Sequence, residues 1–185
     1  MTVLRTVTAM ASVAYRWDVD SFLRAQDAAA FRSRVELVDG QVWPVVLDDW
    51  HGDLTAHLVA VLSQRGQVSQ ATLATGESLP DPDLWLRRIG AQPVDVVSAR
   101  LSRWDPADVL LVVEVADETV QEDLTIKARL YAAAGYARYW VVTHDGIHEH
   151  TAPTGEGYTH VRRATAGDSV DLPDGTVITI RELLP

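Results

Sequence analysis

The run Asp108-Val109-Leu110-Leu111-Val112-Val113-Glu114-Val115-Ala116-Asp117 is apolar on both sides of a single internal carboxylate. Val and Leu at this density read as a strand buried on both faces. With period two, Val112, Glu114 and Ala116 face one way, while Leu111, Val113 and Val115 face the other. Glu114 therefore sits in or beside a core. An isolated ionised carboxylate there is very costly and would take up a proton instead. A metal ion, a nearby cation or a hydrogen-bond network removes that cost, and Glu114 is read as a metal ligand.

The segment that follows, from about Thr119 to Ala134, has helical periodicity. Leu124, Lys127 (or Ala128) and Tyr131 lie on its inner stripe, and Gly135 is its C-cap candidate. Of sixteen basic residues only Lys127 is Lys. Lys differs from Arg where a compact point charge is needed rather than a planar fork. Asp123 stands four residues before it, the order that favours an ion pair on a helix, so a solvated pair is the competing reading.

Upstream, residues 1–17 show no clean period and are expected to form a flexible N-terminal arm, with residues 18–185 as a single domain. Asp18 to Phe31 suits a capped helix. Arg34 to Trp43 alternates apolar residues around Asp39-Gly40, a hairpin signature, with Glu36 in its first strand. Asp48-Asp49-Trp50-His51 leads into Leu54, Leu58, Val61 and Leu62, an amphipathic helix with His51 in its first turn. A short strand is expected over Ala71–Glu77. After Pro80 and Pro82, Asp83 opens an apolar strand and shares a face with Trp85. Residues 89–106 read as a connecting loop, with room for a short helix or a flap.

Downstream, Tyr139 to Val142 is a strand, and His148 and His150 alternate along the next, so their imidazoles share a face. Tyr158 to Arg163, Ser169 to Leu172 and Val177 to Ile180 complete a series of short C-terminal strands, with a turn at Asp174-Gly175.

Composition narrows the chemistry. Without cysteine, any metal is held by oxygen or imidazole, and a cytoplasmic setting is expected. No apolar run reaches the roughly 20 residues of a membrane span, so no membrane partner is expected. The formal charge of −10 argues against a phosphate-gripping surface, although Arg87-Arg88, Arg100 with Arg103, and Arg162-Arg163 could supply one locally. Two carboxylates on neighbouring strands with a Lys nearby are the parts needed for metal-assisted phosphodiester hydrolysis: hard oxygen ligands for Mg²⁺ or Mn²⁺, and an ammonium beside the reacting water.

The chain resembles the Uma-two family, within the PD-(D/E)XK nuclease superfamily. Five stretches carry the resemblance: Val35-Glu36-Leu37-Val38-Asp39-Gly40; His51 at the start of its helix; Pro82-Asp83-Leu84-Trp85-Leu86; Leu111-Val112-Val113-Glu114-Val115; and Asp123 through Lys127 and Tyr131 to Gly135, continuing to Tyr139-Trp140-Val141-Val142. The resemblance implies an α/β (α+β) restriction-endonuclease-like core, a mixed central sheet flanked by helices, with C-terminal β-hairpins. It implies Mg²⁺ (or Mn²⁺) held by Asp83 and Glu114, with Glu36 as a further acidic group. His51 is placed at the site's edge, and Lys127, supplied by the helix, replaces the superfamily's usual Lys, whose place is Ala116. The implied function is endonucleolytic hydrolysis of DNA. One departure is visible: Ala116-Asp117-Glu118 stands where the family usually has a hydroxyl residue and a Pro. The alternatives are a catalytically silent acidic binding or assembly protein on the same fold, able to form a homodimer through its C-terminal strands, and hydrolysis of another phosphate ester.

Overall fold

The computed structural model describes residues 15–184; the expected arm falls mostly on residues 1–14, outside them. Trp17, at the arm's end, is anchored. Its N–H donates to Gly40 O at 2.8 Å and its ring packs on Phe31. The first helix, α1 (Val19–Asp27), is capped by the Asp18 side chain accepting from Ser21 N. It stops short of the expected Phe31 because the chain turns left-handed at Ala29 (φ 52°). The Asp39-Gly40 hairpin forms as expected, from β1 (Val35–Val38) and β2 (Gln41–Pro44). Helix α2 (Asp49–Leu62) follows, its N-cap Asp48 accepting from His51 N.

The expected strand at Ala71–Glu77 is not there. The strand is β3 (Gln67–Ser69), and residues 71–77 make a loop closed by reciprocal bonds between Thr75 and Ser78 around Gly76 (φ 53°). Leu73 and Ala74 are buried under that loop, so the stretch carries a strand's hydropathy without a ladder. β4 (Leu84–Arg87) begins one residue after Asp83. Residues 89–106, expected as a loop, contain a hairpin of β5 (Asp95–Ser98) and β6 (Leu101–Arg103).

The apolar run is β7 (Val109–Val115). The expected single helix after it is instead α3 (Val120–Glu122), a π-helical turn (Asp123–Lys127) and α4 (Ala128–Ala133), with Gly135 in the left-handed conformation beyond it (φ 85°). Strands β8 (Arg138–Thr143), β9 (Gly146–Thr154) and β10 (Gly157–Ala164), the hairpin β11 (Ser169–Asp171) with β12 (Val177–Thr179), and the short α5 (Ile180–Leu183) complete the chain. Six strands form a mixed sheet in the order β10-β9-β8-β7-β4-β3, parallel only between β7 and β8. That crossover contains the interrupted helix, as a parallel connection requires.

The sheet separates two cores. On one face Leu84, Leu86, Leu111, Val113 and Val115 pack with Leu54, Leu58 and Leu62 of α2 and with the C-terminal hairpin and α5. On the other, Trp85, Val112, Ala116, Tyr139 and Val141 pack under Ala128 and Tyr131. Glu114 belongs to the second face. Among the described residues no helix is long and apolar enough to cross a membrane.

His148 and His150 do share a face of β9. His150 is buried beside Tyr139 and Tyr158, and its Nε2 has no hydrogen-bond partner. Burial, with His148 nearby, pushes its imidazole down to about 4 from an ordinary 6.5. The unfolded chain therefore binds a proton that the folded one refuses between those values, and stability is lost as pH falls from 6.5 towards 4. His150→Phe should flatten that part of a urea-midpoint-against-pH curve. An unchanged slope would place the acid sensitivity elsewhere.

Candidate active site

Glu114 lies in β7 with three-hundredths of its surface exposed, and its Oε1 accepts from Lys127 Nζ (3.1 Å) and from the Tyr131 hydroxyl (2.8 Å). Lys127 also stands 3.1 Å from Glu36 Oε1 and 3.5 Å from Asp123 Oδ1. The solvated ion pair is thus excluded: Lys127 is buried and faces three carboxylates. Burial alone would push its ammonium down, but Glu114, Glu36 and Asp123 outweigh burial and leave its pKa raised. Glu114 is pushed well up, first by burial and then by Asp123, Asp83 and Glu36, against the pull of Lys127. Asp123 is raised as well, again first by burial.

The π turn explains how one helix contributes three of these groups. Asp123, Lys127 and Tyr131 are spaced by four, and in an unbroken α-helix each such step drifts about 40° around the axis. A wider turn (Asp123–Lys127) takes back part of that drift, with Lys127 and Tyr131 on Glu114 and Asp123 beside Lys127. Such single π turns recur at functional sites. The Tyr139 hydroxyl donates to Asp123 O (3.1 Å), and the Thr119 hydroxyl donates to Asp123 Oδ2 (2.7 Å), fixing the turn on the sheet.

Glu36 reaches the site from β1. Its Oε2 accepts from the Asp81 backbone N–H (3.0 Å), which docks the first hairpin against the double-proline segment. Asp83 arrives from the other side. The β4–β7 register pairs Leu84 with Val113, so its continuation sets Asp83 opposite Glu114. Asp83 Oδ2 accepts from Val115 N (2.7 Å), and Oδ1 lies 2.6 Å from His51 Nε2. Burial lowers the His51 imidazole, but the bond to Asp83 and the charges of Asp83, Asp48 and Asp123 leave it raised overall.

Of the five residues singled out from the sequence, Glu36, Glu114 and Lys127 lie in one cluster of side-chain contacts, while Asp83 and His51 form a neighbouring pair tied to β7 through the Val115 N–H. Two members were not singled out. Asp123 was seen only as a helix partner of Lys127, and Tyr131 only as a core residue, although their i, i+4, i+8 spacing with Lys127 was the available signal.

Three carboxylates (Glu36, Glu114 and Asp123) meet one ammonium, a formal surplus of two negative charges, while Asp83 pairs separately with His51. The oxygens are hard donors of the kind Mg²⁺ and Mn²⁺ take. Asp123 Oδ1 is buried without a hydrogen bond, and Glu114 Oε2 makes none with a described residue. A divalent cation suits that charge and donor set. The carboxylates nevertheless converge on Lys127, and among the described residues no three His, Asp or Glu side chains form a ready metal cage.

A family model described as "Uma2: Putative restriction endonuclease" matches residues 19–181. No curated protein matches the chain. A crystal structure titled as a "putative nuclease belonging to DUF820", from Anabaena variabilis, is similar with a TM-score of 0.62 and 11% identity, over 90% of this chain and 97% of that one. At that identity the likeness is one of fold. The expected core, a mixed sheet flanked by helices with C-terminal hairpins, is the fold found.

Proposed function

Because the chain belongs to the Uma2 family, whose description is "Putative restriction endonuclease", we propose that it is a metal-dependent endonuclease cutting DNA phosphodiester bonds, with Mg²⁺ (or Mn²⁺) held by Asp83 and Glu114. The observation that carries this reading is the buried Glu114 carboxylate, gripped by Lys127 at 3.1 Å inside a cluster with surplus negative charge. When bound, such an ion polarises a phosphate oxygen and makes its coordinated water more acidic.

The chain's own residues do the rest. Tyr131 donates to Glu114 Oε1 and fixes its orientation, leaving Oε2 for a ligand. Val115 N–H holds Asp83 Oδ2, and His51 Nε2 holds Oδ1, so Asp83 is oriented from both sides. Lys127 keeps its proton through the carboxylates around it. It is thus a fixed positive charge that can orient an attacking water or steady charge on the phosphate. Glu36 also holds Lys127, at 3.1 Å.

The test is supercoiled-plasmid nicking with Mg²⁺ and with EDTA. The proposal expects metal-dependent nicking by the natural chain and none by Asp83→Asn or Glu114→Gln; equal nicking by all three would end it. A second reading keeps the fold without catalysis, as an acidic assembly protein pairing through β10. That strand is at the sheet edge and leaves Val161 exposed, and open edges invite pairing. It expects a dimer and no nicking.

A further inference from the structure

Most of the Arg residues that could meet a phosphate are committed elsewhere. Arg88 pairs with Asp108, Arg162 with Glu149 and Arg163 with Asp145. Arg87 lies over the rings of Trp85 and Trp104. Arg34 and Arg100 differ: both line a cavity of about 480 Å³ bounded by α1, the start of β1, residues 70–72 and the β5–β6 hairpin. Arg34 commits only its Nε, to Asp81 Oδ2 (2.5 Å), while Thr72 donates to the other Asp81 oxygen. The two terminal nitrogens of this pre-set guanidinium bond no described residue. Arg100 is exposed and in no ion pair among the described residues.

The other walls suit a base rather than a second phosphate. Phe31 is half-buried and braced by Phe22 and Trp17, and Gln26 and Gln70 offer exposed amides at the rim. The cavity is also wired to the catalytic cluster. The N–H of Asp81 donates to Glu36 Oε2, and Glu36 Oε1 contacts Lys127.

We propose that this cavity takes one splayed-out nucleotide of a single strand flanking the bond that is cut, its base against Phe31 between the two amides and its phosphate at Arg34 and Arg100. The inference rests on the nuclease reading and adds where the strand runs. The volume lies in the range of small-ligand sites, about 300–1,000 Å³, which admits one nucleotide and not a duplex. Aromatic stacking is tolerant of base identity, amides match base edges, and an Arg fork matches phosphate oxygens.

The test is fluorescence anisotropy of a labelled DNA single strand of about 12 nucleotides, within the usual site sizes of single-strand binders. It is done in EDTA, so that binding is read apart from cleavage. Arg34→Lys keeps the charge beside Asp81 but loses the fork. Ala71→Trp fills the cavity from an exposed position. Each should weaken binding about tenfold, the scale of one stacked base, and Arg163→Ala should leave it unchanged. Failure of the natural chain to bind, wild-type affinity in both cavity variants, or an equal loss in Arg163→Ala would overturn the inference. Binding with this pattern but without Mg²⁺-dependent nicking would instead sink the catalytic reading. Nicking that survives both cavity variants with unchanged binding would sink only the cavity.

Discussion

Lys127→Met is expected to lower the unfolding free energy at pH 7.5 by about 3–5 kcal/mol, the cost of removing one partner from a buried ion cluster. Met fills most of the space, so the loss comes from charge. Glu36, Glu114 and Asp123 would face one another with no cation within reach. The natural Lys has a raised pKa when folded, so its contribution is present in full below its ordinary 10.5 and is lost only in stronger base. In the variant the abandoned carboxylates can recover by protonation, and the deficit should shrink as the pH is lowered towards 5. Urea unfolding of both proteins at pH 7.5 and pH 5 measures it. A deficit below 1 kcal/mol, on the order of an exposed pair, would mean that the cluster is not buried as described.

Glu114→Gln should move stability the other way while removing activity. Glu114 has a folded pKa raised well above its ordinary 4.5, with burial as the largest cause. The folded chain thus holds this proton more tightly than the unfolded one. The charged side chain costs stability once the pH rises above 4.5, and the cost grows as it rises further. Gln keeps the Oε1 acceptor for Lys127 and Tyr131 and removes the charge. Glu36 and Asp123 remain to pair Lys127. In EDTA the variant should melt higher at pH 7.5, by about 2–4 °C for each kcal/mol relieved, and show no advantage near pH 4. A lower melting temperature at pH 7.5 would show that Glu114 is a stabilising partner rather than a strained functional group. Strain kept at a site that only its ligand relieves is the usual trade between stability and activity.

Much of this arrangement was legible in the sequence for definite reasons. Asp39-Gly40 between alternating apolar residues marks a tight turn, and the alternation through Val112, Glu114 and Ala116 puts the carboxylate on one face. Asp48 and Asp18 stood where caps belong. Three things were not legible. The π turn leaves no mark in hydropathy, because inserting one residue per turn does not change which residues are apolar; it changes which of them meet Glu114. The loop at 71–77 imitates a strand because Leu73 and Ala74 are buried by neighbours distant in sequence. The β5–β6 hairpin lacks a strong turn pair, and its outer face carries exposed Val94 and Val96, so its alternation gave no clear inside. The local Arg clusters were visible, but not that Arg88, Arg162 and Arg163 are tied to carboxylates.

If Asp83 and Glu114 share a divalent cation, calorimetric titration of the metal-free protein with Mn²⁺ detects it. A saturable binding heat is expected for the natural chain and none for Asp83→Asn or Glu114→Gln, each still folded by circular dichroism. A natural chain that takes up no Mn²⁺, or variants whose titrations superimpose on it, would mean that these two carboxylates hold no shared cation.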